Sequence, residues 1–275
     1  QAIDYISKAI ALKSDIPLWY AELSKYYDES DVSYKACLAI LEDNLDIVKH
    51  DVQAPMTLVE LYNLDGSYDK ALDFLSNHHF RTWEGGRETY WHYVVANTLK
   101  ALELAKAEKY NEALKHLDAA MLYPENLEVG KPTHDEKNAL IHYFKGEVYA
   151  KMKDDKKAKE SYQKSIGSEN GRGMEDLYYF QAEAHKKLGN TAKANEIFNA
   201  LIKKSRDFRD NGTNNTLVAV EEASATNKKD ISYSYYLEAL GNKGLEKHKE
   251  AAQLFDKALE IYKNNLWAKV MKDYN

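Results

Sequence analysis

The sequence predicts an all-α fold in which antiparallel helix pairs stack into a right-handed α-solenoid. Three observations carry that expectation: few breaker residues, helical spacing of the apolar ones, and one small residue that recurs in register. Of 275 residues only 4 are Pro and 12 are Gly, while 44% are hydrophobic and 30% charged. That balance suits a well-ordered helical chain and not a β-rich or loop-rich one. Pro17, Pro55, Pro124 and Pro132 all fall at expected helix starts or just past helix ends, where a missing N–H does no harm.

The recurring residue is an alanine. The stretches 61–75, 103–120, 147–165, 184–201 and 244–259 align on Ala71, Ala113, Ala158, Ala194 and Ala251. Four positions later each has a bulky residue: Leu75, Leu117, Tyr162, Phe198 or Phe255. Three beyond that, Ala120, Ser165 and Ala258 are small again. A small side chain lets two helices of a pair approach, and the large residue one turn on fills the space toward the next pair. A leucine in place of Ala113 or Ala158 would overpack the crossing. Tyr62 and Tyr149 precede their alanines by about nine residues, and Gly66 and Gly189 mark turns between paired helices.

Over nearly the whole chain this register resembles the tetratricopeptide-repeat superfamily. Taken in order, residues 1–14 read as a partial unit, a second helix without its first, as if the chain began inside a longer protein. Units follow at 15–50, 51–80, 86–124, 135–167, 174–205 and 231–275, with an irregular insertion at 206–230. The first full unit is degenerate, with Trp19 at the first-helix aromatic position and Ala36 near the small one. The stretch 88–107 makes an over-long first helix, and Trp267 in the last segment is expected to cap the end of the stack.

A narrower resemblance rests on DIPLWYAELSKYYD, FRTWEGGRETYWHYVVAN, YPENLEVGKP and HYFKGEVYAKMKDD, which follow one another in that order. Over about residues 10–170 they are similar to the C-terminal helical-repeat region of large bacterial proteins with an upstream mutarotase-like β-sandwich domain of unknown function. Phe80, Trp83, Glu84, Gly85 and Gly86 form the most specific motif, with Thr82 where members often have Pro. The resemblance implies a carbohydrate-linked role for the parent protein and carries over no catalytic residue.

The same segment is the first candidate site. Gly85 and Gly86 would each cost a helix about 1 kcal/mol, so they mark a turn or a close backbone approach. In one reading Phe80 and Trp83 plug the seam between units, and Glu84 and Arg87 form a surface ion pair of little energetic weight. In the other, Arg81, Trp83, Glu84 and Arg87 belong to a surface that meets an upstream domain or a ligand, since Trp and Arg carry much interface energy. His78, His79 and His92 lie nearby without metal-ligand spacing.

The second candidate is a concave groove lined by first helices. Tyr20, Tyr143, Tyr179 and Tyr236, with Met56, take the fifth position of their units; Tyr27, Glu147, Glu183, Lys186 and Lys187 are neighbours. A tyrosine there either stacks on a peptide or sugar ring or packs against the next helix.

No nucleophile elbow, phosphate loop or dinucleotide fingerprint is present, and a lone Glu84 is no glycosidase pair. The expectation is a non-catalytic scaffold without cofactor, whose partner is a protein or an upstream domain of the same chain. A glycan- or peptide-binding accessory domain is the alternative. A formal charge of -6 without a basic stripe gives no reason to expect nucleic acid. The single Cys37 reads as a core residue, and no apolar run reaches the ~18 residues of a membrane span. A Lys-rich, Arg-poor bacterial composition fits a cytoplasmic or periplasmic chain equally well.

Overall fold

The computed structural model describes residues 2–30, 33–81, 86–131, 137–171, 173–211 and 222–274, with the backbone alone for 86–88, 211 and 222–227. The described residues form helices and connecting turns and no strand. They group into two compact units, Gln1–Lys131 and Pro132–Asn275. The first holds α1 (Ala2–Leu12), α2 (Pro17–Glu29), α3 (Tyr34–Asp43), α4 (Leu45–Val48), α5 (Ala54–Asp65), α6 (Tyr68–Asn77), α7 (Gly86–Lys106), α8 (Tyr110–Ala119) and a 3-10 turn at Glu125–Leu127. The second holds α9 (Asn138–Lys151), α10 (Asp155–Ile166), α11 (Leu177–Lys187), α12 (Thr191–Asn211), α13 (Glu222–Gly244), α14 (His248–Ile261) and α15 (Leu266–Asp273).

Local chemistry sets the helix starts. Pro17 and Pro55 occupy first-turn positions of α2 and α5, where the ring's fixed φ favours the helix. Side chains of Ser33, Asp154 and Asn265 accept from backbone N–H groups at the N-termini of α3, α10 and α15, which satisfies donors with no intrahelical partner. The helices pair as α5 with α6, α7 with α8, α9 with α10, α11 with α12 and α13 with α14. At every one of these crossings the expected small residue is buried: Ala71, Ala113 and Ala194 are 0% exposed, Ala251 3% and Ala158 4%. The large residues one turn later are buried with them. In α9 the partner surface is Gly146, against which the Tyr162 ring lies so closely that a methyl group would collide with it.

The turn between the two helices of a pair has a left-handed residue in all five: Gly66, Glu108, Lys153, Gly189 and Glu246, with φ between 60° and 83°. Each precedes its buried alanine by five positions, a register that the glycines alone did not suggest. The N–H one residue beyond each reaches back to a carbonyl of the helix's last turn, as from Ser67 to Tyr62 and from Asp154 to Tyr149, a Schellman-type closure. At three of the five an ordinary L-residue bears the roughly 1–2 kcal/mol penalty of this conformation. Lys153 is exposed, so Lys153→Gly should raise stability by about 0.5–1 kcal/mol after glycine's greater chain entropy is subtracted. Urea unfolding of the two chains measures it, and an unchanged or lower midpoint contradicts the account.

Two sequence expectations meet a different geometry. Of the stretch 206–230 expected to be irregular, 206–211 complete α12 and 222–230 begin α13, and the residues between lie outside those described. Trp267, expected at the end of the stack, turns inward and meets Phe180 of α11 edge-on at 6.5 Å. Cys37 is a core thiol, 2% exposed; burial pushes its pKa up to about 11.

Candidate functional site

The crowded segment around residue 80 is anchored from below. Phe80 is 3% exposed and meets His78 and Phe74 edge-on at 4.6 and 6.2 Å. Its N–H donates to the Asn126 carbonyl at 2.8 Å, while Asn126 Nδ2 donates to the carbonyls of Leu75 and His78, both at 2.7 Å. Asn126 thus clips the end of α6 to the 3-10 turn, and Leu127 beside it is buried. His79 Nε2 faces Glu128 Oε1 at 2.7 Å, an exposed pair of little weight. His78 stacks on Phe74 at 5.0 Å, and burial lowers its pKa. Phe80 is therefore part of the core, and Arg81 is exposed. Trp83, Glu84 and Gly85 lie outside the described residues, while Gly86 and Arg87 form the first turn of α7 and not a turn before it. Among the described residues no three His, Cys, Asp or Glu converge as a metal site.

The fifth-position residues are all buried: Tyr20 0%, Tyr236 1%, Tyr143 3%, Tyr179 4% and Met56 8% exposed. Their rings pack within the units and leave no stacking platform. In the first unit the Tyr20 hydroxyl donates to Ser14 O and Asn44 Oδ1, Met56 Sδ accepts from Thr89 Oγ1, and Tyr27 packs against the core. In the second unit Tyr236 lies against Phe255 and Tyr233, its hydroxyl without a hydrogen-bond partner.

Six of the expected groove residues do converge. Tyr143, Glu147, Tyr179, Glu183 and Lys186 line one cavity of about 550 Å³ in the second unit, together with Lys187. Its other wall comes from later in the chain: Lys243 and Glu246, then His248, Ala251, Ala252 and Phe255 of α14, then Lys272 and Tyr274. Lys243 could have been found in the sequence, because it stands three residues before Glu246 as Lys186 stands three before Gly189. Tyr274 and Lys272 carried no such signal.

The charges in the cavity are mostly committed. Glu147 accepts from the Tyr162 hydroxyl at 2.6 Å and pairs with Lys187 at 2.8 Å. Lys186 pairs with Glu246 at 2.7 Å, and Lys272 pairs with Asp256 at 2.5 Å. Lys243 donates to the carbonyls of Met271, at 2.7 Å, and Tyr274. It thereby caps the C-terminus of α15, where the helix dipole is negative. Burial lowers its pKa, opposed by Glu183 and Asp273. Tyr274 is held edge-on to Phe144 at 5.5 Å. Glu183 differs from the others, with no hydrogen bond and no close ion pair to a described residue. Burial raises its pKa, and the more distant charges of Lys186, Lys187 and Lys243 pull it back.

Behind the cavity, Asp176 at the start of α11 accepts from the Tyr233 hydroxyl at 3.1 Å. It is 8% exposed. Desolvation raises its pKa from 3.8 to about 6, with the Tyr233 hydrogen bond opposing and Glu175 assisting. A carboxyl whose folded pKa is raised stabilises most below its unfolded value and loses that contribution as pH climbs through 6. Asp176→Asn keeps the acceptor without the charge. It should therefore match the parent near pH 4 and exceed it by about 3 kcal/mol at pH 8. Equal urea midpoints at both pH values would contradict the assignment.

No family model matches the chain. Among solved structures it is similar to YrrB, described as a TPR protein with an unusual peptide-binding site, at 15% identity and TM-score 0.29, with 86% of this chain and 97% of that chain covered. The TPR domain of P58(IPK) matches at 15% identity and TM-score 0.30, with 98% and 90% covered. BtubC (BKLC) from P. vanneervenii matches at 12% identity and TM-score 0.34, with 98% and 93% covered. Among the described residues the fold of this chain is all-α, built from helix pairs with a buried small residue at each crossing.

Proposed function

We propose that the chain is a non-catalytic helical-repeat scaffold that holds a segment of another polypeptide in the cavity of its second unit. The observation that supports this is the cavity itself: side chains from first helices of successive pairs meet residues of α14 and α15 around about 550 Å³, a volume typical of a ligand site. Its lining mixes aromatic edges with paired charges, which suits a peptide with both apolar and polar contacts. The tyrosines are too enclosed to offer ring faces to a sugar, so the peptide reading is preferred to the glycan one. The resemblance around Phe80–Gly86 supports a second and separate contact, in which Arg81 of the first unit meets an upstream domain.

Ala252 tests the proposal because it is exposed and lines the cavity, so a large side chain there fills the space without disturbing the core. A bead-displayed library of random hexapeptides should retain the parent chain, and Ala252→Trp should abolish retention. Equal retention of the two chains, or none of either, would refute the proposal.

A further inference from the structure

We infer that the cavity, if it holds a peptide as proposed, is selective for a basic side chain, an ammonium or guanidinium group that enters beside Glu183. The geometry that carries this is the distribution of commitments among the charges. Lys187 is spent on Glu147, Lys186 on Glu246 and Lys272 on Asp256. Lys243 is turned toward the last carbonyls of α15, whose partial negative charge offsets its own. Glu147 already has two partners, the Tyr162 hydroxyl and Lys187. Glu183 lines the same space and, among the described residues, has no hydrogen-bond donor and no cation within ion-pair distance, although Lys186, Lys187 and Lys243 act on it from farther off.

A half-buried carboxylate whose cations all stand beyond hydrogen-bond distance is an unfavourable arrangement that a cation in direct contact relieves. An arriving ammonium or guanidinium restores the hydrogen bonds that burial removed, and the charge-assisted bond so formed is stronger than a neutral one. Aromatic groups surround the point of entry. Tyr143 and Tyr179 belong to the neighbouring first helices and present only edges to the space, and Tyr274 closes the far side. An acidic side chain meets the opposite situation. Every lysine it could use already faces Glu147, Glu246, Asp256 or the end of α15, so an acidic group competes with those acceptors for the same charge. The raised pKa of Glu183 adds a pH dependence with a definite sign. A bound cation draws that pKa down, so affinity should be greatest where Glu183 is ionised and should fall as pH drops through its titration.

Bead-bound hexapeptides retained by the parent chain, once sorted and sequenced, test this selectivity. Lys and Arg should be enriched several-fold over the input library. A soluble hexapeptide carrying the enriched residue should bind at least tenfold more tightly than its Gln counterpart by isothermal titration calorimetry. Glu183→Gln should remove at least tenfold of the basic peptide's affinity and cancel the preference, with the helical circular dichroism unchanged. Retention that Ala252→Trp abolishes but that shows no basic enrichment overturns this inference and leaves the peptide-binding reading standing. The same holds for a basic preference that survives Glu183→Gln. Absence of retention by the parent chain overturns both.

Discussion

Gly241→Ala should lower the unfolding free energy by about 3 kcal/mol, at the upper end of the usual overpacking range. An added Cβ on Gly241 would stand 2.7 Å from the Phe198 carbonyl oxygen and 2.6 Å from Ile202 Cγ1. The first obstacle is backbone and cannot rotate away, so the methyl group must push α12 from α13 along their shared length. Gly244, one turn on, faces the Phe198 ring in the same manner, and the two glycines together let the long helices touch. Thermal or urea unfolding of Gly241→Ala checks this, and a midpoint within error of the parent would show that the crossing is loose. Relief of the loss by a second change, Ile202→Ala, should be partial only, because the carbonyl contact remains.

Arg209→Ala should cost about 3 kcal/mol through a different mechanism. Glu238 on α13 is buried, its side chain 6% exposed, and two arginines of α12 hold it. Arg206 Nε donates to Oε1 at 2.7 Å, but Arg206 is itself 60% exposed. Arg209 is the enclosed partner, 18% exposed, lying over the Tyr235 ring at 4.2 Å and donating to Ser234 Oγ at 3.2 Å. Removal of one member of a buried pair leaves the other charged and desolvated, at about 3–5 kcal/mol; the remaining Arg206 keeps the expected loss near the lower bound. The stranded charge identifies itself in a double-mutant cycle. Glu238→Gln introduced into the Arg209→Ala chain should recover part of the loss. Additive losses in that cycle would mean that the guanidinium acts through packing on Tyr235 alone.

How far a feature was legible in the residues depends on the distance along the chain over which it is decided. Ala71, Ala113, Ala158, Ala194 and Ala251 were legible because an intrahelical spacing of four ties each to its large partner, and all are buried. Spacing likewise located Tyr143, Glu147, Tyr179, Glu183 and Lys186, which do share one cavity. It could not tell that the tyrosine rings are covered, since the covering groups, such as Phe180 beside Tyr143 and Phe198 beside Tyr179, come from other helices. The inward turn of α15 was illegible for the same reason. Trp267 finds Phe180, Tyr274 finds Phe144 and Lys243 finds the last carbonyls, none of them near in sequence. In the segment around residue 80, the glycine pair suggested a turn, but Gly86 instead opens α7.

The left-handed residues between paired helices bear on how such a chain can change over time. Because the backbone, held by the buried alanines, dictates that conformation at Glu108, Lys153 and Glu246 as firmly as at Gly66 and Gly189, the junction does not demand any one amino acid. A residue other than glycine there costs at most the roughly 1–2 kcal/mol of the left-handed conformation, and the crossing held by the buried alanine is left as it was. Identity thus matters at the crossings of such a molecule far more than at its corners.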